Sequence, residues 1–362
     1  MKKLSLIMII TLIVSLLATS VVLAADWPER SPTCVVGFAA GGGTDTAVRP
    51  FIAEMEKYLE RPITVVNMDG ASSAVACEYV LERPADGYWW FATGNSSVAV
   101  THQLLGLVDT TWEEWETLFT MNGPDGVVVR SDSEFEDIED LIEYMQNEET
   151  IIGVTGVGTS TQIYLEEFAK RVGAKDRTWV PHGGCHPTAV AVLRGEVKFA
   201  PITLSAGWEF IESGDLKVLT VFGVKEGLEV HPANGEPYVA PTAGQVRSEA
   251  AYLDDLIKAW PIFVKRDIPV EIRDKIREAF IYACEQPSVQ KAAEAVGLQV
   301  SGIVGEEADR LQSIARSNWA WLLYEAGEID VSPAEYGIPR PEDWTWPPEG
   351  WDTSQYPMKG EK

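Results

Sequence analysis

Twice in this chain an apolar run of strand length empties straight into a glycine-, threonine- and serine-rich turn, and a helical pattern begins at once. The first turn is Phe38-Ala39-Ala40-Gly41-Gly42-Gly43-Thr44-Asp45, after a strand pattern over residues 33–39. The second is Gly153-Val154-Thr155-Gly156-Val157-Gly158-Thr159-Ser160-Thr161, after a strand pattern over residues 151–155. At a strand-to-helix turn the first helical N–H groups have no internal partner, and the helix dipole adds partial positive charge. Glycine lets the backbone come close to a ligand, so such a turn binds an anion without Lys or Arg. Two of them facing across a cleft hold both ends of a small dianion. Neither turn is a nucleotide loop: Thr46 and Thr161 stand where GxGxxG needs its third glycine, and no GxxxxGK[ST] occurs.

The rest of the pattern alternates strand and helix. Residues 63–66 and 88–92 read as strands and 73–81 as a helix, so the opening is βαβαβ and a parallel sheet is the economical choice. Val48, Phe51, Met55 and Tyr58 mark the first helix; with Thr46 as N-cap, Pro50 falls in its first turn and predicts a kink or a late start. After Asn122-Gly123-Pro124 the pattern restarts. Strands are expected at 127–130, 151–155, 179–180, 197–203 and 216–222, and helices at 138–145, after Thr161 and at 188–193. Residues 225–245 read as a long loop and two amphipathic helices close the fold. The tail from Val331, rich in Pro and Trp, is expected to wrap the surface. In open α/β sheets the ligand crevice lies beyond the carboxyl ends of the strands, where both glycine turns fall.

Residues 1–25 stand apart. Lys2 and Lys3 precede an apolar run that exits through Val22-Leu23-Ala24-Ala25, the pattern of a cleavable secretory signal peptide. The expectation is an exported, periplasmic protein, away from ATP and nicotinamide supplies. Asp and Glu number 55 against 29 Lys and Arg, a formal charge of -26, which excludes nucleic-acid binding. Cys34, Cys77, Cys185 and Cys284 show no CxxC spacing and read as buried thiols, with one disulfide open as an alternative.

Several segments resemble a known family in order along the chain. They are Trp27-Pro28-Glu29-Arg30, Gly37 through Asp45, Pro84-Ala85-Asp86-Gly87-Tyr88, Gly156-Val157-Gly158-Thr159-Ser160, Val180-Pro181-His182-Gly183-Gly184, Leu193-Arg194-Gly195-Glu196-Val197 and Gly214-Asp215-Leu216-Lys217-Val218-Leu219. Over roughly residues 27–327 the chain resembles the extracytoplasmic solute receptors of tripartite tricarboxylate transporters, the Bug family. The resemblance implies an α/β, two-lobed periplasmic binding protein type II fold, each lobe a mostly parallel sheet flanked by helices, hinged about a ligand cleft. Residues 26–122 with 262–330 would form one lobe, 123–261 the other, and 331–362 an irregular tail. It implies a monomer that captures a small carboxylate and passes it to a large and a small membrane subunit, with no enzymatic activity, cofactor or metal.

Carried over by position, Phe38, Ala40, Gly41, Gly42, Gly43, Thr44 and Asp45 would meet the ligand from one lobe, and Thr155, Gly156, Gly158, Thr159 and Ser160 from the other. Asp45 would hold a water or cap the helix. Asn95 and Ser96 would line the mouth, with His182 and Ser205 as further contacts. The chain departs from the family pattern at Gly37, Gln162, His182-Gly183 and Lys198, which points away from a standard tricarboxylate. Two other readings stay open: a ligand-sensing partner of a membrane signalling protein, and an exported hydrolase using Cys185 with His182 or His186. Of the remaining residues, His102 and His231 read as surface residues, and Glu113-Glu114-Trp115-Glu116 and the acidic run 133–143 as solvated helix faces. The tryptophans read mostly as packing.

Overall fold

The first four residues of the opening strand pattern form β1 (Thr33–Val36), in the computed structural model that describes residues 27–256 and 258–356. The signal-peptide reading of residues 1–25 lies outside these described residues. Helix α1 (Gly43–Leu59), β2 (Thr64–Asn67), α2 (Ala74–Leu81) and β3 (Trp89–Ala92) complete the expected βαβαβ unit, with β1 paired parallel to both β2 and β3. The α1 stripe buries Val48, Phe51 and Met55, and Phe51 stacks on Phe280 at 5.3 Å. The cap differs from expectation. Gly42, in extended backbone, is the N-cap, so the helix starts earlier than Thr46 and Pro50 sits inside it. Its fixed φ suits a helix; the missing N–H leaves one upstream carbonyl without its partner.

The chain then crosses to a second layer and back. Strand β4 (Trp115–Asn122) leads through Gly123 and Pro124 into β5 (Asp125–Arg130). There follow α3 (Ile138–Asn147), β6 (Thr150–Val154), α4 (Ser160–Arg171), β7 (Arg177–Pro181), α5 (Cys185–Leu193), β8 (Phe199–Thr203), α6 (Trp208–Ser213) and β9 (Leu216–Phe222). The region expected as a plain loop holds a hairpin, β10 (Leu228–Val230) and β11 (Tyr238–Ala240), whose Tyr238 hydroxyl accepts from the Val218 amide at 2.9 Å. The return is made by β12 (Ala259–Lys265), then α7 (Val270–Cys284), α8 (Pro287–Glu294), β13 (Gln299–Ile303) and α9 (Gly305–Ala326).

The first sheet runs β13-β4-β12-β3-β1-β2, and the second half carries β8-β5-β9 with β6-β7 as a separate pair. The mostly parallel expectation holds for β1, β2, β3 and for β6 with β7. It fails elsewhere: β4 and β12, the strands that cross between the halves, pair antiparallel, as does every partner of β5. A chain that leaves a sheet and returns lays its outgoing and incoming strands in opposite directions.

One core lies between the first sheet and α1 and α7, around Trp90, Trp260, Phe51 and Phe280. Another lies under α3 and α4, around Phe168, Phe199 and Phe222; it takes in Trp319 and Leu323 of α9. The acidic segment 113–116 is a solvated helix face only in part: Glu113 and Glu114 are exposed on a short helical turn, but the next two residues are not. Trp115 and Glu116 are buried on β4, and the Glu116 carboxylate pairs with Arg277 at 2.6 Å and Arg266 at 3.8 Å. The tail from Val331 runs along α9: Trp344 and Trp346 donate to Ser313 and Glu306, and Trp351 lies 4.8 Å from buried Trp112. All four cysteines are unpaired; burial pushes the thiols of Cys34, Cys77 and Cys284 up to about 12.

Candidate functional site

Helices α1 and α4 point their N-termini into the same chamber. Gly42, Gly43 and Thr44 line it from one half and Thr159, Ser160 and Thr161 from the other, around a volume of about 40 Å³. That is room for a few water-sized groups. Neither helix has a side-chain cap: Gly42 and Thr159 hold the cap positions in extended backbone, their carbonyls accept the first helical bonds from Thr46 and Ile163, and no side chain accepts from the amides of the first turn. The first amides of both helices therefore face the chamber with no helical acceptor.

Each turn is braced by its own helix. The Gly41 amide donates to Asp45 Oδ2 at 3.0 Å, and the Gly158 amide to Gln162 Oε1 at 2.7 Å. Asp45 also accepts from Arg49 Nε at 2.8 Å and Asn67 Nδ2 at 2.9 Å. Burial pushes its carboxyl upward, but these donors outweigh it and hold it below the usual range. The second turn also touches the first half, where Ser72 Oγ donates to the Val157 carbonyl at 2.6 Å and Thr101 Oγ1 to that of Gly158 at 3.2 Å. Ser72 lies in a run, Ala71 to Ser73, with φ of 44°, 52° and 75°. His102 supports that run: its Nε2 lies 3.1 Å from Ser73 Oγ and 3.2 Å from the Ser72 carbonyl. His102 is thus a buried support of that segment, not a surface residue, and burial lowers its pKa to about 4.

The floor carries a charged group that the sequence does not announce. Lys258, which runs into β12, is 7% exposed and lines the chamber. Its Nζ donates to Asp125 Oδ2 at 2.8 Å and to Thr203 Oγ1 at 2.9 Å. Asp125, fully buried at the start of β5, accepts also from Thr203 Oγ1 at 2.8 Å and from Ser160 Oγ at 3.1 Å. The pair joins the two segments that cross between the halves and reaches the first residue of α4. No motif marks it, because Asp125, Ser160, Thr203 and Lys258 come from four distant stretches.

Among the expected contacts, Phe38, Gly42, Gly43, Thr44, Ser96, Thr155, Thr159 and Ser160 line the chamber. The others do not. Ala40 and Gly41 are exposed on the outer side of their turn, and Asp45 faces Arg49 and Asn67. Gly158 packs on Leu105, where a Cβ would stand 2.4 Å from its Cδ1. His182 lies against Gly153, and Ser205 Oγ, outside the chamber lining, is buried without a hydrogen-bond partner among the described residues. Gly156 borders an outer vestibule of about 440 Å³; Phe38 and Thr155 line both it and the inner chamber. Asn95 faces a rear cavity of about 330 Å³, bounded by Phe119, Ala259 and Trp319.

The Cys–His constellation does not assemble. Cys185 Sγ lies 3.0 Å from Thr155 Oγ1 and accepts from the Thr203 amide at 3.3 Å, while His186 Nδ1 lies 3.1 Å from the Ala206 carbonyl. Among the described residues neither His182 nor His186 is hydrogen-bonded to that thiol, so no base is placed to activate it.

Residues 47–315 match the family model described as the tripartite tricarboxylate transporter family receptor. The chain belongs to that family. Its members are periplasmic solute-binding receptors and not enzymes. A UPF0065 protein of Bordetella pertussis is 27% identical over 224 residues, 61% of this chain and 69% of that protein. Among solved structures, a Rhodopseudomonas palustris protein with adipate superposes with TM-score 0.71 at 22% identity, covering 83% of this chain and 99% of that one. MatC from the same organism, with bound malate, gives 0.70 at 21% identity over 82% of this chain and 100% of that one. At these identities the likeness is one of fold, and the fold is that of a periplasmic binding protein with mixed α/β layers. Among the described residues no helix is long and apolar enough to cross a membrane.

Proposed function

We propose that this receptor captures a small carboxylate in the cleft between two lobes and delivers it to a membrane permease of one large and one small subunit. The observation that carries the reading is the convergence of α1 and α4: two uncapped helix N-termini open into one chamber. Unsatisfied amides with aligned dipoles favour an anion, and a planar carboxylate presents the acceptors they need. Relatives of the same fold hold adipate and malate. Phe38, Gly42, Gly43, Thr44, Ser96, Thr155, Thr159 and Ser160 are the proposed contacts.

In this reading the protein is exported as a monomer through cleavage near residue 25. Residues 26–122 with 262–330 form one lobe, 123–261 the other, and the tail from 331 braces the outside. The lobes part to admit the acid and close on it. Closure is favoured only by the difference in ligand affinity between the two states. A thermal-shift screen of mono-, di- and tricarboxylates tests the reading, since a selective ligand raises the melting temperature by mass action. Failure of every acid to shift it would sink the proposal.

A further inference from the structure

Resting on the carboxylate reading above, we infer that the cleft of this chain selects monocarboxylates with an apolar body, inserted acid-first onto Lys258. The inner chamber and the outer vestibule differ in charge, size and chemistry, and together they describe one end of a ligand and then the other.

The chamber suits one carboxylate and no more. Its volume is about 40 Å³, and both helix N-termini and the Lys258 ammonium open into it. Lys258 is matched by Asp125 at 2.8 Å, so the pair is neutral as a unit. What remains is the two helix ends, about half a positive charge each. Their sum balances one carboxylate. Lys258 adds direction: two of its three N–H bonds go to Asp125 and Thr203, the third makes no hydrogen bond among the described residues, and the ammonium lies 5.6 Å from the centre of the Trp260 ring, which lines the same chamber. The two turns thus converge on a single acid group, not on the two ends of a dianion.

The vestibule is built for something else. It is reached past Phe38 and Thr155, which border both spaces. Its lining includes Leu105, Leu107, Val157 and Pro181, of which Leu107 and Val157 stand exposed at 39% and 51%. Among the described residues the only charged side chain lining it is Asp69, and no cation does. A second carboxylate there would meet a like charge and leave its oxygens poorly paired, whereas a hydrocarbon chain or ring would cover apolar surface.

Hexanoate and adipate make the matched pair for the test, because they differ only in a terminal methyl against a second carboxylate. Titration calorimetry on the full mature chain should show hexanoate binding at least tenfold more tightly than adipate. Asp69→Asn should narrow that ratio by improving adipate alone. The double variant Lys258→Met with Asp125→Asn, which leaves no buried charge unpaired, should recover most of the melting temperature that Lys258→Met alone loses, and should lose at least tenfold in hexanoate affinity. Equal affinities, or adipate the tighter, would overturn the inference and leave the receptor reading standing. So would unchanged hexanoate binding in the folded double variant. If no carboxylate binds the wild-type chain, both fall.

Discussion

The amide of Gly158 donates to the side chain of Gln162 at 2.7 Å, four residues ahead on α4. The same brace, glycine to a residue four ahead, holds the other turn through Gly41 and Asp45. In each case the outer N–H of the turn is occupied by the protein itself, which leaves the inner amides, at the helix start, for a ligand. Replacing Gln162 with Ala removes a buried acceptor, and an unsatisfied buried donor costs about 1–3 kcal/mol. The expected result is a lower urea midpoint together with weaker carboxylate binding; an unchanged midpoint would show that the brace is idle.

Gly42 and Gly158 respond differently to enlargement. Gly42 has an ordinary φ of -74°, and a Cβ there would meet only the Ala39 carbonyl, at 3.1 Å. Gly42→Val should therefore fold, fill the chamber and reduce carboxylate affinity at least tenfold in calorimetry. Gly158 has a φ of +72° and would drive a Cβ into Leu105. Gly158→Val should lose binding and also about 1–3 kcal/mol of stability to backbone strain.

Breaking the Lys258–Asp125 pair from one side should cost more than removing it whole. Lys258→Met strands a buried carboxylate, a loss of about 3–5 kcal/mol. Adding Asp125→Asn should recover most of it. Equal melting temperatures for the single and double variants would contradict the burial and bonding of this pair.

His102 should make stability fall on the acid side. Its pKa drops from 6.5 to about 4 in the folded protein, because burial disfavours the charged ring. Between those values the unfolded chain binds more protons, so stability is complete above pH 6.5 and declines as pH falls toward 4. The full change is about 3 kcal/mol. Urea midpoints at pH 7 and pH 5 should differ by less in His102→Asn than in the wild type.

The tail should matter for stability and not for binding. Trp351 packs on Trp112, with the Arg266 guanidinium 5.2 Å over its ring, and its Nε1 donates to the Tyr356 hydroxyl at 2.9 Å. Trp351→Ala should destabilise by about 1–3 kcal/mol, less than a fully buried tryptophan. Its carboxylate affinity should stay within twofold of the wild type.

Local signals in the sequence were enough for β1 to β3, α1 and both glycine turns, because each is punctuated by glycine or proline. The crossing strands were hidden for physical reasons. β12 contains Pro261 at a register shift, and proline argues against a central strand. β4 is buried on both faces, so it shows no alternation, and its Glu116 looks solvated until Arg277 and Arg266 are found beside it. Lys258 escaped because its meaning lies in Asp125 and Thr203, far away in the chain. His102 looked like a surface residue because the serines that hold it there lie some 30 residues upstream.

Gly94, Ser96, Lys258 and Trp260 face the chamber, while Asn95 and Ala259, between them, face the rear cavity. A partition one polypeptide thick cannot be remodelled on one side only. Bulk added at position 259 would press on the backbone that carries the lysine, so the floor of the binding site is tuned as much from behind as from within.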